Sequence, residues 1–161
     1  MKKIVIIGAG VAGINAATKL VDNGYDGSLI TIIDKGNDPI NRLPEEVMTG
    51  MLGAGGWSDG KLVVSTVQGG QLAKYCGEEK AMSLMEEVVA NFTRFSPLNQ
   101  KIFHVLILKQ NLTLLNHIST YVCRLYGILV QTILHEIAKN WYQYLLDKGV
   151  NFKWNEVVEQ I

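Results

Sequence analysis

After Met-Lys-Lys the chain opens on an unbroken apolar run, Ile4-Val5-Ile6-Ile7, which stops at Gly8. Four successive β-branched residues with no polar alternation predict a buried strand of the parallel type. Residues 11–21 then set apolar Ile14 and Leu20 among small Ala12, Ala16 and Ala17. That spacing predicts a helix, and Asn23-Gly24 is its stop signal. Residues 29–33 are again rich in β-branched residues and predict a second strand. A glycine-rich loop spans 50–60. Over 78–95, Met82, Met85, Val88, Val89 and Phe92 predict a helix with one apolar side. Over 134–146, Leu134, Ile137, Ala138, Trp141 and Leu145 predict another. Lys148-Gly149 closes it, and residues 150–154 read as a third strand. Strands alternating with helices predict an α/β architecture.

The turn between the first strand and the first helix carries the candidate chemistry. Gly8-Ala9-Gly10-Val11-Ala12-Gly13 matches G-x-G-x-x-G. The pattern alone is weak, but here it follows a predicted strand, opens a predicted helix and precedes a second strand. Each glycine has a task. Gly8 permits the tight turn, Gly10 lets the backbone approach a pyrophosphate, and Gly13 lets the helix sit close to the strand. The free N–H groups of the first turn, at Val11, Ala12 and Gly13, face the phosphates at the positive end of the helix. Asp34 ends the second strand, twenty-one residues after Gly13. A carboxylate there accepts hydrogen bonds from ribose hydroxyls and repels a 2′-phosphate, which argues against NADP. The expected fold is therefore α/β, a Rossmann-like open parallel sheet, as an incomplete FAD/NAD(P)-binding domain. FAD and NAD both suit this arrangement.

Composition narrows the function classes. Hydrophobic residues make up 48% and charged residues 19%, a balance that can bury a core and excludes a disordered chain. Fifteen basic residues balance fifteen acidic ones, so no global charge steers the protein to nucleic acid or an anionic membrane. Cys76 and Cys123 lack a close partner, which excludes a zinc ribbon, a disulfide scaffold and a redox-active pair; both are expected as buried or inert thiols. His135-Glu136 begins an H-E-x-x-H pattern, but Lys139 fills the second histidine position, and His104 and His117 lack ligand spacing. No metal site is expected. The apolar run before the first glycine is too short for a signal peptide, so a cytoplasmic location is expected. Residues 102–134 are too polar for a membrane span.

Further residues carry a family resemblance. Asp34-Lys35-Gly36, then Arg42, then the run Gly53-Ala54-Gly55-Gly56-Trp57-Ser58-Asp59-Gly60-Lys61-Leu62 resemble the NAD(FAD)-utilising dehydrogenases. Their signature is a glycine-rich stretch leading into Phe-Ser-Asp-Gly-Lys-Leu. This chain has Trp57 in place of the usual Phe, and Asp34 where glutamate is commoner. The resemblance implies FAD held by Gly8, Gly10, Gly13 and Asp34, with Lys35, Arg42 and the loop from Gly53 to Lys61 near the cofactor. It implies an N-terminal fragment of an FAD-dependent oxidoreductase acting on a small-molecule redox substrate of unassigned identity. Lys61 would balance negative charge on a phosphate or a reduced flavin. The residues assign no catalytic group and no oligomeric state. The alternatives are a small NAD-binding module or redox-sensing subunit without flavin, or the non-functional product of a damaged gene.

One window departs from the rest. Between residues 88 and 135 there is no acid, although eleven of the fifteen acids lie at or before Glu87. The resemblance fades after about Ser96 and returns at Leu134-His135-Glu136. Joining each codon's third base to the next codon's first two permits acids, prolines and a glycine throughout this window, with a single offset. The window thus reads as a compensated frameshift, the alternative being a natural insertion of low acidity. A sequence not selected to pack is expected to pack poorly. The expected layout is residues 1–96 as the first part of the dinucleotide-binding domain, 97–133 as an anomalous segment, and 134–161 as a helix and strand start.

Overall fold

The computed structural model describes residues 1–57, 64–66, 70–98 and 120–159. The elements are β1 (Ile4–Ile7), α1 (Val11–Asp22), a 3-10 turn (Gly27–Leu29), β2 (Ile30–Ile33), a second 3-10 turn (Gly53–Gly56), α2 (Leu72–Cys76), α3 (Glu78–Arg94), α4 (Thr120–Asp147) and β3 (Asn151–Lys153). They form a mixed α/β structure with a small three-stranded parallel sheet. β2 lies in the centre, with Ile4 opposite Ile30 on one side and Ile32 opposite Phe152 on the other.

Sheet and helices share one apolar core. Ile30 and Ile32 of β2, Ile14, Ala17 and Val21 of α1, Phe92 of α3 and Leu134, Ile137, Ala138, Trp141 and Leu145 of α4 are all buried in it. Trp141 is its centre. Its ring stacks on Phe95 at 4.9 Å and meets Phe92 edge-on at 5.6 Å. Its Nε1–H donates to the Thr18 hydroxyl at 2.7 Å, and that hydroxyl donates to the Ile14 carbonyl at 2.8 Å. A buried indole N–H therefore has its acceptor, as burial requires. At the far end of α1, Asp22 receives Arg94 at 2.7 Å and the Tyr144 hydroxyl, which ties three helices together. Burial opposes ionisation of Asp22, but the hydrogen bonds from Arg94 and Tyr144, with the Arg94 charge, outweigh it and lower its pKa.

The strands and α1 fall where the hydrophobic pattern placed them. Gly24, at φ +82°, follows α1 as the stop signal predicted. Three differences stand out. The last helix begins at Thr120, not near Leu134. On α3 the buried residues are Ala81 and Phe92, while Met82, Met85, Val88 and Val89 are only half-buried. Cys76 is exposed rather than buried. Of the anomalous segment, residues 99–119 lie outside the described residues, as do Asp59, Lys61, His104 and His117 and the side chain of Cys123. Among the described residues no helix is long and apolar enough to cross a membrane, and no cluster of three metal-ligating side chains occurs.

The sheet is covered unevenly. Side chains alternate across its faces, so Val5 and Ile7 lie opposite the core face. They are 59% and 50% exposed. Gly8 donates to the Ile33 carbonyl at 2.7 Å. By the same alternation, Ile4 and Ile6 turn their backbone groups toward β2, and Val5 and Ile7 turn theirs to the free edge.

Candidate functional site

The candidate site is built where β1 and β2 end. Gly8 takes φ +97°, a conformation open to glycine and costly for a residue with a Cβ. Gly10 is extended and caps α1, whose first helical bond runs from Ile14 N–H to Gly10 carbonyl at 3.0 Å. The N–H groups of Val11, Ala12 and Gly13 thus have no partner within the helix. No side chain caps this end, and its first turn holds no acid. The helix presents an unneutralised positive terminus.

The glycines divide their work by geometry. A Cβ on Gly13 would lie 2.0 Å from the Gly8 carbonyl oxygen, so α1 can pack against the turn only with glycine there. A Cβ on Gly10 would meet nothing within 4 Å. The space beside Gly10 is open, next to the N–H groups of the first helical turn. An uncapped helix N-terminus of this kind can receive an anionic group.

Asp34 reaches into the same place. Its Oδ2 accepts from Ala9 N–H at 2.7 Å, inside the glycine turn. Its Oδ1 accepts from Gly36 N–H at 2.8 Å and Gly50 N–H at 2.9 Å. The carboxylate therefore points at the turn and pins both ends of the 36–50 loop. A carboxylate has about four lone-pair sites, so Oδ2 keeps one acceptor site beyond its bond to Ala9. The chain after β3 supports the corner from outside. Asn155, at φ +59°, donates its backbone N–H to the Gly36 carbonyl at 3.1 Å, and Glu156 N–H donates to the Asp34 carbonyl at 3.1 Å.

Arg42 occupies a different position. It is 7% exposed, and its guanidinium donates to the carbonyls of Glu46, Met51, Val47 and Gly53 at 2.8–3.1 Å. Four of its five N–H groups are thereby used inside the loop. Burial lowers its pKa, and the charges of Glu46 and Asp34 oppose that shift. Glu46 accepts from Asn37 Nδ2 and from Leu43 N–H at 2.7 Å, and these bonds lower its own pKa. Held in this way, the loop returns to the glycine turn. Leu52 N–H donates to the Ala9 carbonyl at 2.7 Å, and Leu52 bridges Gly10. Arg42 acts on the crevice by positioning its wall.

Trp57 closes that wall. Its ring lies 4.6 Å from the Arg42 guanidinium, and its Nε1–H donates to the Pro44 carbonyl at 3.1 Å. His135 of α4 meets the same ring edge-on at 5.4 Å. Burial and then the Lys139 charge push the His135 pKa down, helped by Arg42 and opposed by Glu136.

The structure thus brings Gly8, Gly10, Val11, Ala12, Gly13 and Asp34 together. Lys35 is exposed beside Asp34, and Arg42 lies in the loop interior. Sequence reasoning missed Leu52, His135 and Asn155. His135 entered it only as half of a failed zinc motif, and no spacing links it to Trp57. A scan of protein-family models found no match, and a search of curated proteins found none.

Proposed function

We propose that this chain binds an adenine dinucleotide, FAD, as the dinucleotide-binding part of a flavin-dependent oxidoreductase with a Rossmann-like sheet. One observation carries the reading: the uncapped α1 terminus opens beside Gly10, and Asp34 is aimed at the same turn. Three parallel strands with β2 central give the order of the first half of a doubly wound dinucleotide fold. In such folds ligands sit outside the carboxyl ends of the strands, where these residues lie. The half-exposed Val5 and Ile7 support a further layer over β1, because parallel sheets are rarely bare on one face.

When bound, FAD supplies two-electron redox chemistry. The chain's own residues bind and orient. The N–H groups of Val11, Ala12 and Gly13 hold the diphosphate, and the free Oδ2 position of Asp34 accepts from a ribose hydroxyl. Arg42 and Leu52 fix the opposite wall.

Absorbance and dinucleotide titration of the purified protein test the reading. Retained flavin, or FAD binding lost on Gly10→Ala with the fold intact, is the expected result. Tight NADH binding to a colourless protein would replace FAD with NAD as the ligand. No affinity for any adenine dinucleotide overturns the reading.

A further inference from the structure

We propose that His135 makes closure of the crevice wall pH-dependent: the neutral imidazole holds Trp57 and residues 50–57 against the glycine turn, and protonation releases them. The ligand in this inference rests on the dinucleotide reading; the switch rests on the packing alone.

His135 projects from α4, which packs on the 3-10 turn Gly53–Gly56. Its ring meets the indole that also carries the Arg42 guanidinium. Its Nδ1 is buried and has no hydrogen-bond partner among the described residues. A neutral ring leaves only an unmet acceptor there. A protonated ring must place a charged N–H there with no acceptor among the described residues, and the cost is larger for a charged group. The charged groups around it are Lys139 and Glu136 on its own helix and Arg42 from the loop. Glu136 is already paired with Lys139 at 3.2 Å, so a new cation meets two positive neighbours and one engaged acid. The released group would be Trp57. Arg42, stacked on that ring, holds the Met51 and Gly53 carbonyls on either side of Leu52, whose N–H closes on Ala9.

The direction follows from linkage. The closed form resists protonation, whereas an opened form titrates near the ordinary histidine value of about 6.5. Closure is strongest above that pH. Below it, closure weakens by up to about tenfold per pH unit until the closed form itself protonates.

The experiment compares the full chain with His135→Phe, which keeps a ring against Trp57, and with His135→Gln, in case either variant fails to fold. Amide exchange protection over residues 50–57, corrected for intrinsic exchange, and FAD affinity are measured at about pH 7.5 and about pH 5.5. The expected result is a fall in both for the natural chain, by at most about tenfold, and none in the variants. An equal fall in the variants, or no fall in the natural chain, overturns the proposal. If FAD binds at neither pH, the dinucleotide reading fails, and the exchange measurement still decides the switch.

Discussion

Asp34 joins fold and ligand in one side chain. It accepts from Ala9, Gly36 and Gly50, so it locks the glycine turn to both ends of the 36–50 loop. Asp34→Ala leaves three backbone N–H groups without their acceptor. The expected loss is about 2–4 kcal/mol, read from chemical denaturation. The glycines give a sharper contrast. Gly13→Ala forces a Cβ to within 2.0 Å of a carbonyl oxygen and is expected to lower the melting temperature strongly. Gly10→Ala meets no protein atom. It is expected to leave the melting temperature nearly unchanged while weakening FAD binding by about tenfold or more, since a methyl group enters the diphosphate's space. Equal stability losses for the two would refute this division of roles. Glycine spacing and the Asp34 position were legible in the sequence because they follow from local backbone geometry. Arg42 was noticed there as a cofactor neighbour, but its acceptors lie four to eleven residues onward, and only the path of the loop defines them.

At the scale of elements, the loop after β2 and the long helix α4 are the pieces that tertiary contacts shape. Arg42→Lys keeps the charge and loses the planar fork that reaches four carbonyls. It is expected to cost about 2–3 kcal/mol and to raise exchange over residues 50–57. On α4, the apolar face from Leu134 to Leu145 was fully legible, because its spacing repeats with the helical turn. The beginning of α4 was not. Residues 128–133 are apolar but for the adjacent Gln131 and Thr132, so they show no single face for periodicity to reveal. The five apolar positions read on α3 hold the same lesson. Their spacing identified the helix, yet of the five only Phe92 is buried in the core, with Val88 packed against it, and the neighbouring elements determine that.

The whole molecule should report two separate losses of stability in acid. His135 has a lowered folded pKa, so its neutral form stabilises the fold above the unfolded value, and this contribution fades as pH falls below about 6.5. Asp22, Asp38 and Glu46 also have lowered pKa values; their contribution is present above about pH 4 and is lost as pH falls through the folded values. Melting temperature against pH should therefore fall in two stages, and His135→Phe should remove the difference it contributes to the upper stage alone. The sheet gives a second whole-molecule contrast. Val5→Thr on the open face should change stability by about 0.5 kcal/mol or less, whereas Ile32→Thr in the core should cost about 2–4 kcal/mol. By itself the sequence determined the strand–turn–helix unit, the spacing of glycines and acid, and the core face of α4. These depend on backbone sterics and on periodic burial, which neighbours in the chain already encode. The tertiary structure alone decided that Asp34 binds the glycine turn, that Arg42 serves the loop, and that His135 rests on Trp57. Those contacts join residues far apart along the chain, and their distances exist only once the helices have packed on the sheet.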